Sequence, residues 1–255
     1  MKITLLGTGT SQGVPVIGCT CKVCKSDNPK DNRLRTSALL SWDDFKFVID
    51  CGPDFRIQML GQKIKSIDGI LFTHEHADHT AGLDDIRPIY FNNKKPLPIY
   101  GLKRVMDELA IRFNYIFTKA HRYPGAPEVE VNYLQADTPF QLGDKEVMPL
   151  GIMHGNLPIL GYKIDRFAYL TDTKTIPDKT MNHLYNLDFL VLNTLHHKRH
   201  KMHLNIEEAL EVIAKLKPKK AILTHISHHF GLYDEIQQKL PKNVIIGYDG
   251  MEIEV

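Results

Sequence analysis

The sequence predicts an α/β protein, a four-layer αββα sandwich of two mixed β-sheets. Three observations carry that expectation. Short, solidly apolar runs occur in both halves of the chain, many of them end in His, Asp or Gly, and only two segments show clear helical periodicity. Runs of this kind are strands buried on both faces, with a site lying beyond their ends.

In chain order, KITLLG, SALLSW and KFVIDCG read as the opening strands, the last two joined by a polar turn at Asp43 and Asp44. KSIDGILFTHEH contains a buried-strand run, Gly69 to Thr73, that stops at a histidine. Later strands are expected at LPIYG, EVMPLGI, GYKI, FAYLTD, DFLVLNT, KAILTHI and VIIGYDG. One helix is expected over LKRVMDELAIRFNYIF. Another is IEEALEVIAKLK, N-capped by Asn205, with Glu207 and Glu208 in its first turn and Pro218 as its stop. Ile206, Leu210, Ile213 and Leu216 give this second helix one apolar face. No repeat, low-complexity tract or linker divides the chain, so residues 1–255 are expected to form a single domain.

The chain has 255 residues, 43% of them hydrophobic and 24% charged, with a formal net charge of +2. That is enough apolar material for a large core and too little net positive charge for broad, stable nucleic-acid binding. The apolar run after Lys2 breaks at Gly7, which reads as a strand and not a secretory leader, and no run suits a membrane span. A cytoplasmic protein is the resulting expectation. Of four cysteines, Cys19, Cys21 and Cys24 crowd into six residues, a spacing better suited to tetrahedral metal ligation than to disulfides. Cys51, after KFVID, reads as core packing. The turn Gly7-Thr8-Gly9-Thr10 is too short for a nucleotide-phosphate loop and reads as a tight bend.

The strongest chemical signal is His74-Glu75-His76-Ala77-Asp78-His79, directly after a strand. A tight turn there can aim alternate side chains into one cavity, so that His74 and His76 bind one metal while Asp78 and His79 reach a second. Imidazole and carboxylate donors suit Zn, Mn or Fe. The bland alternative is a solvated histidine loop.

This segment resembles the HxHxDH signature of the metallo-β-lactamase superfamily, whose fold is the sandwich described above. The resemblance implies three further donors in order: His154 in MPLGIMHG, Asp172 in YLTDT and His225 in AILTHIS. One metal would then be held by His74, His76 and His154, the other by Asp78, His79 and His225, with Asp172 shared. An Asp at 172, where β-lactamases typically carry Cys, argues against antibiotic hydrolysis. A closer resemblance lies in GTGTSQGVPVIGCTCKVC and RLRTS, which are similar to the PhnP-type branch of cyclic phosphodiesterases. It implies a zinc-binding loop insertion at about 18–36, with Cys19, Cys21, Cys24 and His228 around one structural Zn; His229 is the alternative fourth ligand.

The branch also implies a histidine before a helix that protonates or positions the leaving oxygen, and His203 fits that place. Asp78 and Asp172 share the catalytic assignment. The basic run His196-His197-Lys198-Arg199-His200-Lys201 is either a solvated loop or a phosphate-steering rim. His196 and His200 are given no fixed role. Arg33 and Arg35 either meet an anionic substrate or make ion pairs, and the segment 113–135 has no counterpart in the branch. The expected activity is hydrolysis of a small or cyclic (ribose) phosphodiester through a hydroxide bridging two divalent metals. Rivals are a tRNA 3′-processing-like endoribonuclease, a thioester or lactone hydrolase on the same centre, and a non-catalytic metal-binding module. The branch resemblance leaves room for a homodimer.

Overall fold

The computed structural model describes residues 1–255, save for the side chain of His121. Its strands form two seven-stranded sheets. In the first, β1 (Lys2–Gly7), β2 (Ser37–Trp42) and β3 (Phe45–Ile49) are antiparallel neighbours. From β3 the pairing turns parallel through β4 (Gly69–Leu71), β5 (Leu97–Leu102) and β6 (Val129–Leu134). In the second sheet, β7 (Phe140–Leu142), β8 (Lys145–His154), β9 (Leu157–Ile164) and β10 (Phe167–Leu170) pair antiparallel. β11 (Phe189–Asn193), β12 (Lys220–Thr224) and β13 (Val244–Ile246) then continue in parallel. β14 (Glu252–Glu254) returns to the first sheet beside β1.

Among the described residues eight α-helices accompany these strands: α1 (Phe55–Gly61), α2 (Ala77–Thr80), α3 (Arg87–Asn93), α4 (Lys103–Arg112), α5 (Asn114–Phe117), α6 (Asp178–His183), α7 (Ile206–Leu216) and α8 (Tyr233–Gln237). Three apolar clusters correspond to the three interfaces of four layers. Ile3, Leu40, Ile49 and Leu71 of the first sheet meet Leu160, Tyr162, Tyr169 and Ile222 of the second. The outer face of the first sheet buries Phe55, Ile89, Met106 and Leu109 from its helices, and the second sheet packs on Met181, Ala209, Ile213 and Leu216. The αββα expectation matches this architecture. No helix among the described residues is long and apolar enough to cross a membrane.

Several boundaries differ from the sequence reading for identifiable reasons. The helix expected through Phe117 breaks at Phe113, whose φ of −118° and ψ of 44° leave the helical region, so α4 and α5 are separate. β6, β7 and β14 lie outside the expected strands; each is an edge strand with one paired neighbour. α7 starts as expected: the Asn205 carboxamide accepts the Glu208 N–H at 2.9 Å, and the Glu208 carboxylate accepts the Asn205 N–H at 3.0 Å. It closes at Lys217 in the left-handed region, one residue before Pro218.

Candidate metal centre

Strand ends from both sheets deliver the chemistry-bearing side chains to one cluster. β4 runs into His74, α2 carries Asp78 and His79, and β8 ends on His154. Asp172 and His225 follow the parallel strands β10 and β12, with φ of 54° and 57°. These left-handed residues end the extended course of each strand at the donor itself. Non-glycine residues adopt that conformation at a cost of about 1 kcal/mol or more, which surrounding contacts must offset.

The donors gather as two groups. His74, His76 and His154 form one, with ring centroids 4.5, 5.5 and 5.2 Å apart. Asp78, His79 and His225 form the other. Asp172 lies between imidazoles: its Oδ2 is 3.1 Å from His79 Nε2 and its Oδ1 is 3.2 Å from His225 Nε2. Yet the buried Nε2 atoms of His74, His79 and His225 have no hydrogen-bond partner. Orphaned buried nitrogens are costly, and three of them clustered with carboxylates fit cation ligation. Charge points the same way. Burial opposes ionisation of Asp172 and Asp78, but His225 and His79 beside the first, and His79 beside the second, hold both carboxyls well below the usual range. Burial pulls the His79 imidazole down; Asp172, Asp78 and Asp50 together outweigh it and raise the group well above its ordinary value. Burial lowers His74. The acidic cluster therefore requires a positive charge, from a proton or a cation.

Asp50 was not singled out in the sequence reading. Fully buried at the end of β3, it accepts from His79 Nδ1 at 2.7 Å and from the Thr73 hydroxyl and N–H, each at 2.8 Å. It thereby fixes the His79 tautomer and leaves Nε2 facing Asp172 and Asp78. Its signal was present in KFVID, another buried run ending in Asp. His154 is fixed similarly, with Nδ1 donating to the Met202 carbonyl at 2.9 Å.

His203 lies against this cluster. Its Nδ1 is 3.6 Å from Asp172 Oδ1, and its ring is 4.6 Å from that of His154 and 4.8 Å from that of His225. Burial, with His225 adjacent, pushes its pKa down to about 2, which leaves a neutral imidazole. His200 follows at 5.1 Å between rings and His196 at 6.0 Å from His200. A cavity of about 470 Å³ opens here, lined by His196, His197, Lys198 and His229. The basic run thus borders this cavity at Lys198, while Lys198, Arg199 and Lys201 are themselves exposed. Arg33 and Arg35 have other partners: Arg33 donates to Thr8 Oγ1 and the Gly247 carbonyl at 2.8 and 2.6 Å, and Arg35 pairs with Asp54 at 2.9 Å.

A second cluster lies in the 18–36 loop. The sulfurs of Cys19, Cys21 and Cys24 stand 3.3, 3.4 and 3.5 Å from His228 Nδ1. Such separations fit donors converging on one tetrahedral ion. The Cys24 N–H helps draw the Cys21 thiol down to about 6, while burial pushes Cys24 up to about 11. His229, the alternative fourth donor, lines the cavity instead. Cys51 is buried in the apolar cluster of the first sheet, and burial raises its thiol.

A fold of two mixed sheets with histidines and aspartates at facing strand ends defines a metallo-β-lactamase-type protein. The family model described as a beta-lactamase superfamily domain matches residues 46–226, and the chain belongs to that family. It is also similar, with a TM-score of 0.92 and 38% identity, to the crystal structure of a diphosphatase from the PhnP family, covering 99% of this chain and 96% of that one. An octanoyltransferase of Porphyromonas gingivalis is 44% identical over 254 residues, 99% of this chain, but this chain spans only 51% of that protein. A ribonuclease Z of Borrelia hermsii is 24% identical over 99% of this chain and 96% of its own length. Human tRNase Z, short form, at 20% identity and a TM-score of 0.73, shares the fold.

Proposed function

We propose that residues 1–255 act as one catalytic unit, a dinuclear metal-dependent phosphodiesterase for a small or cyclic phosphodiester. The observation that carries this reading is the pair of donor groups meeting at Asp172, with His203 standing 3.6 Å from the same carboxylate. His74, His76 and His154 would hold one divalent ion; Asp78, His79 and His225 the other; Asp172 would serve both. Zn, Mn or Fe in those positions supplies Lewis acidity toward phosphoryl oxygens and lowers the pKa of water. A structural Zn belongs to Cys19, Cys21, Cys24 and His228.

The side chains themselves orient and exclude. Asp50 and the Met202 carbonyl fix the tautomers of His79 and His154. His203, neutral in its buried place, donates an N–H to the leaving oxygen and steadies the charge that grows there; neutrality favours this positioning role over outright proton transfer. Lys198 and its histidine neighbours draw an anionic substrate toward the cavity. The likeness to the PhnP-family diphosphatase supports phosphate chemistry. Octanoyl transfer is not carried over, because this chain accounts for about half of that relative. An endoribonuclease reading has the ribonuclease Z relatives behind it, but the net charge of +2 weighs against a stable RNA complex.

The deciding assay is hydrolysis of bis(p-nitrophenyl) phosphate by Zn- or Mn-loaded protein, with a p-nitrophenyl monoester, an acyl thioester and a tRNA precursor alongside. Diester turnover well above the other three is expected. Metal-loaded protein that cleaves only the thioester or the tRNA precursor would replace this reading with that one.

A further inference from the structure

The three imidazoles of the His74, His76 and His154 group are not held alike. His74 Nδ1 lies 3.0 Å from the Thr73 hydroxyl, and His154 Nδ1 donates to the Met202 carbonyl. No such partner reaches the ring of His76 among the described residues, and the residue is exposed. Its ring direction therefore depends on the backbone of the turn, where His76 is extended with φ −58° and ψ 149°.

That turn is clamped from α4. Arg112 Nη1 of α4 donates to the Glu75 carbonyl at 2.5 Å; within the turn itself, Thr80 Oγ1 of α2 donates to the His76 carbonyl at 2.9 Å. Arg104 Nη1 pairs with the Glu75 carboxylate, while its Nη2 donates to the Pro158 carbonyl at 2.6 Å. Pro158 pairs with Met153 on the hairpin of β8 and β9, one register position from His154. One guanidinium thus ties together the turn that carries His76 and the hairpin that carries His154. The other Glu75 oxygen, Oε2, is buried without a partner, so the carboxylate is committed to this single contact. α4 is itself fixed by buried Val105, Met106 and Leu109.

We propose that Arg104 is a positioning residue that, acting through Glu75 and the Pro158 carbonyl, sets the affinity of the His74/His76/His154 group for its ion. This rests on the reading of those histidines as ligands. The role belongs to a guanidinium: two donors in a rigid fork reach a carboxylate and a carbonyl at once, whereas an ammonium keeps the charge and loses the geometry. The Asp78/His79/His225 group is held by Asp50 and receives no bond from Arg104, nor does the cysteine loop.

The test compares wild type, Arg104→Met and Arg104→Lys, loaded with Co(II) and equilibrated against graded dipicolinate. Bound metal per chain and the visible Co(II) spectrum are read alongside thermal melting. In Arg104→Met, one equivalent should leave at roughly 10- to 100-fold lower chelator than in wild type, with its spectral band, while the others stay and melting remains cooperative. Arg104→Lys should fall between. Should Arg104→Met fold poorly, Glu75→Gln gives the same readout without touching α4. Release at the wild-type chelator concentration would overturn the positioning role alone; so would loss of all equivalents together with cooperative melting, which marks a merely structural residue. Wild type that binds only the cysteine-loop ion would overturn the ligand reading beneath it, and this role with it.

Discussion

His203 and Asp172 approach each other at 3.6 Å, yet nothing in their sequence neighbourhoods links them. Replacing His203 by Ala removes a side chain that faces the candidate donors but is assigned to neither group. The expected outcome is unchanged metal content, measured by mass spectrometry, with kcat for the diester reduced about 100-fold or more. Unchanged kcat would remove His203 from the mechanism. Legibility at this scale follows density. Four donor-type residues within six, at 74, 76, 78 and 79, speak for themselves, whereas His154, Asp172 and His225 became visible only through their order behind that motif. Asp50 stayed hidden because its partner His79 is 29 positions away, and a carboxylate's role in holding a ring appears only once the two meet. Arg104 was hidden for the same reason: it meets Glu75 and Pro158 through the fold, at separations of 29 and 54 residues.

The elements were legible wherever their own local chemistry decides them. α7 carries its start signal in Asn205 and Glu208, and the buried strands carry theirs in apolar runs. The segment from α3 to β7 was least legible, because its form comes from tertiary contacts: Arg87 lies over the Tyr115 and Tyr123 rings and bonds to Asp84. The cysteine loop belongs to both kinds. Its sulfur spacing was readable, but its polar frame was not. Ser26 donates to Asp31 at 2.6 Å, and the other Asp31 oxygen accepts the Tyr233 N–H at 2.7 Å, which docks the loop on α8. This frame leaves the loop partly formed without an ion, so Cys21→Ser should lower stability without unfolding the protein. A loss on the order of 2 kcal/mol, or a Tm lower by about 4–8 °C, is expected together with one metal equivalent. Diester turnover per remaining dinuclear centre should stay near wild type. A mutant that keeps both its metal and its Tm would dismiss the zinc loop.

At the scale of the whole molecule, the two sheets are tied at one end by a buried polar relay that the sequence did not announce. Arg33 bonds to Thr8 at the end of β1 and to Gly247 just past β13; Thr8 donates to Asp249 at 2.7 Å, and Asp249 also accepts the Leu34 N–H at 2.6 Å. Two effects compete on Asp249. Burial disfavours its charge, while the Leu34 and Thr8 bonds and nearby Arg33 favour it; burial wins, and the pKa rises from 3.8 to about 6. Burial likewise draws Arg33 down to about 10. The sign of the linkage follows from which state binds the proton more tightly. With the folded pKa raised, the folded state does, so this contribution to stability is complete below about pH 4 and is lost as pH rises through about 6. Its size is at most about 3 kcal/mol, from roughly two pKa units at 1.36 kcal/mol each. Asp249→Asn cannot titrate and gives up one of two accepted bonds, a pH-independent cost of about 1–3 kcal/mol. Urea unfolding of both proteins in the same metal state, from pH 4 to 8, isolates the effect, because metal-site groups are common to both and cancel. The mutant should be the less stable at pH 4 and should draw level with wild type, or pass it, by pH 7. A stability difference that stays constant across that range would mean that Asp249 is ionised throughout, and that Arg33 and the two hydrogen bonds outweigh burial at the junction of the sheets.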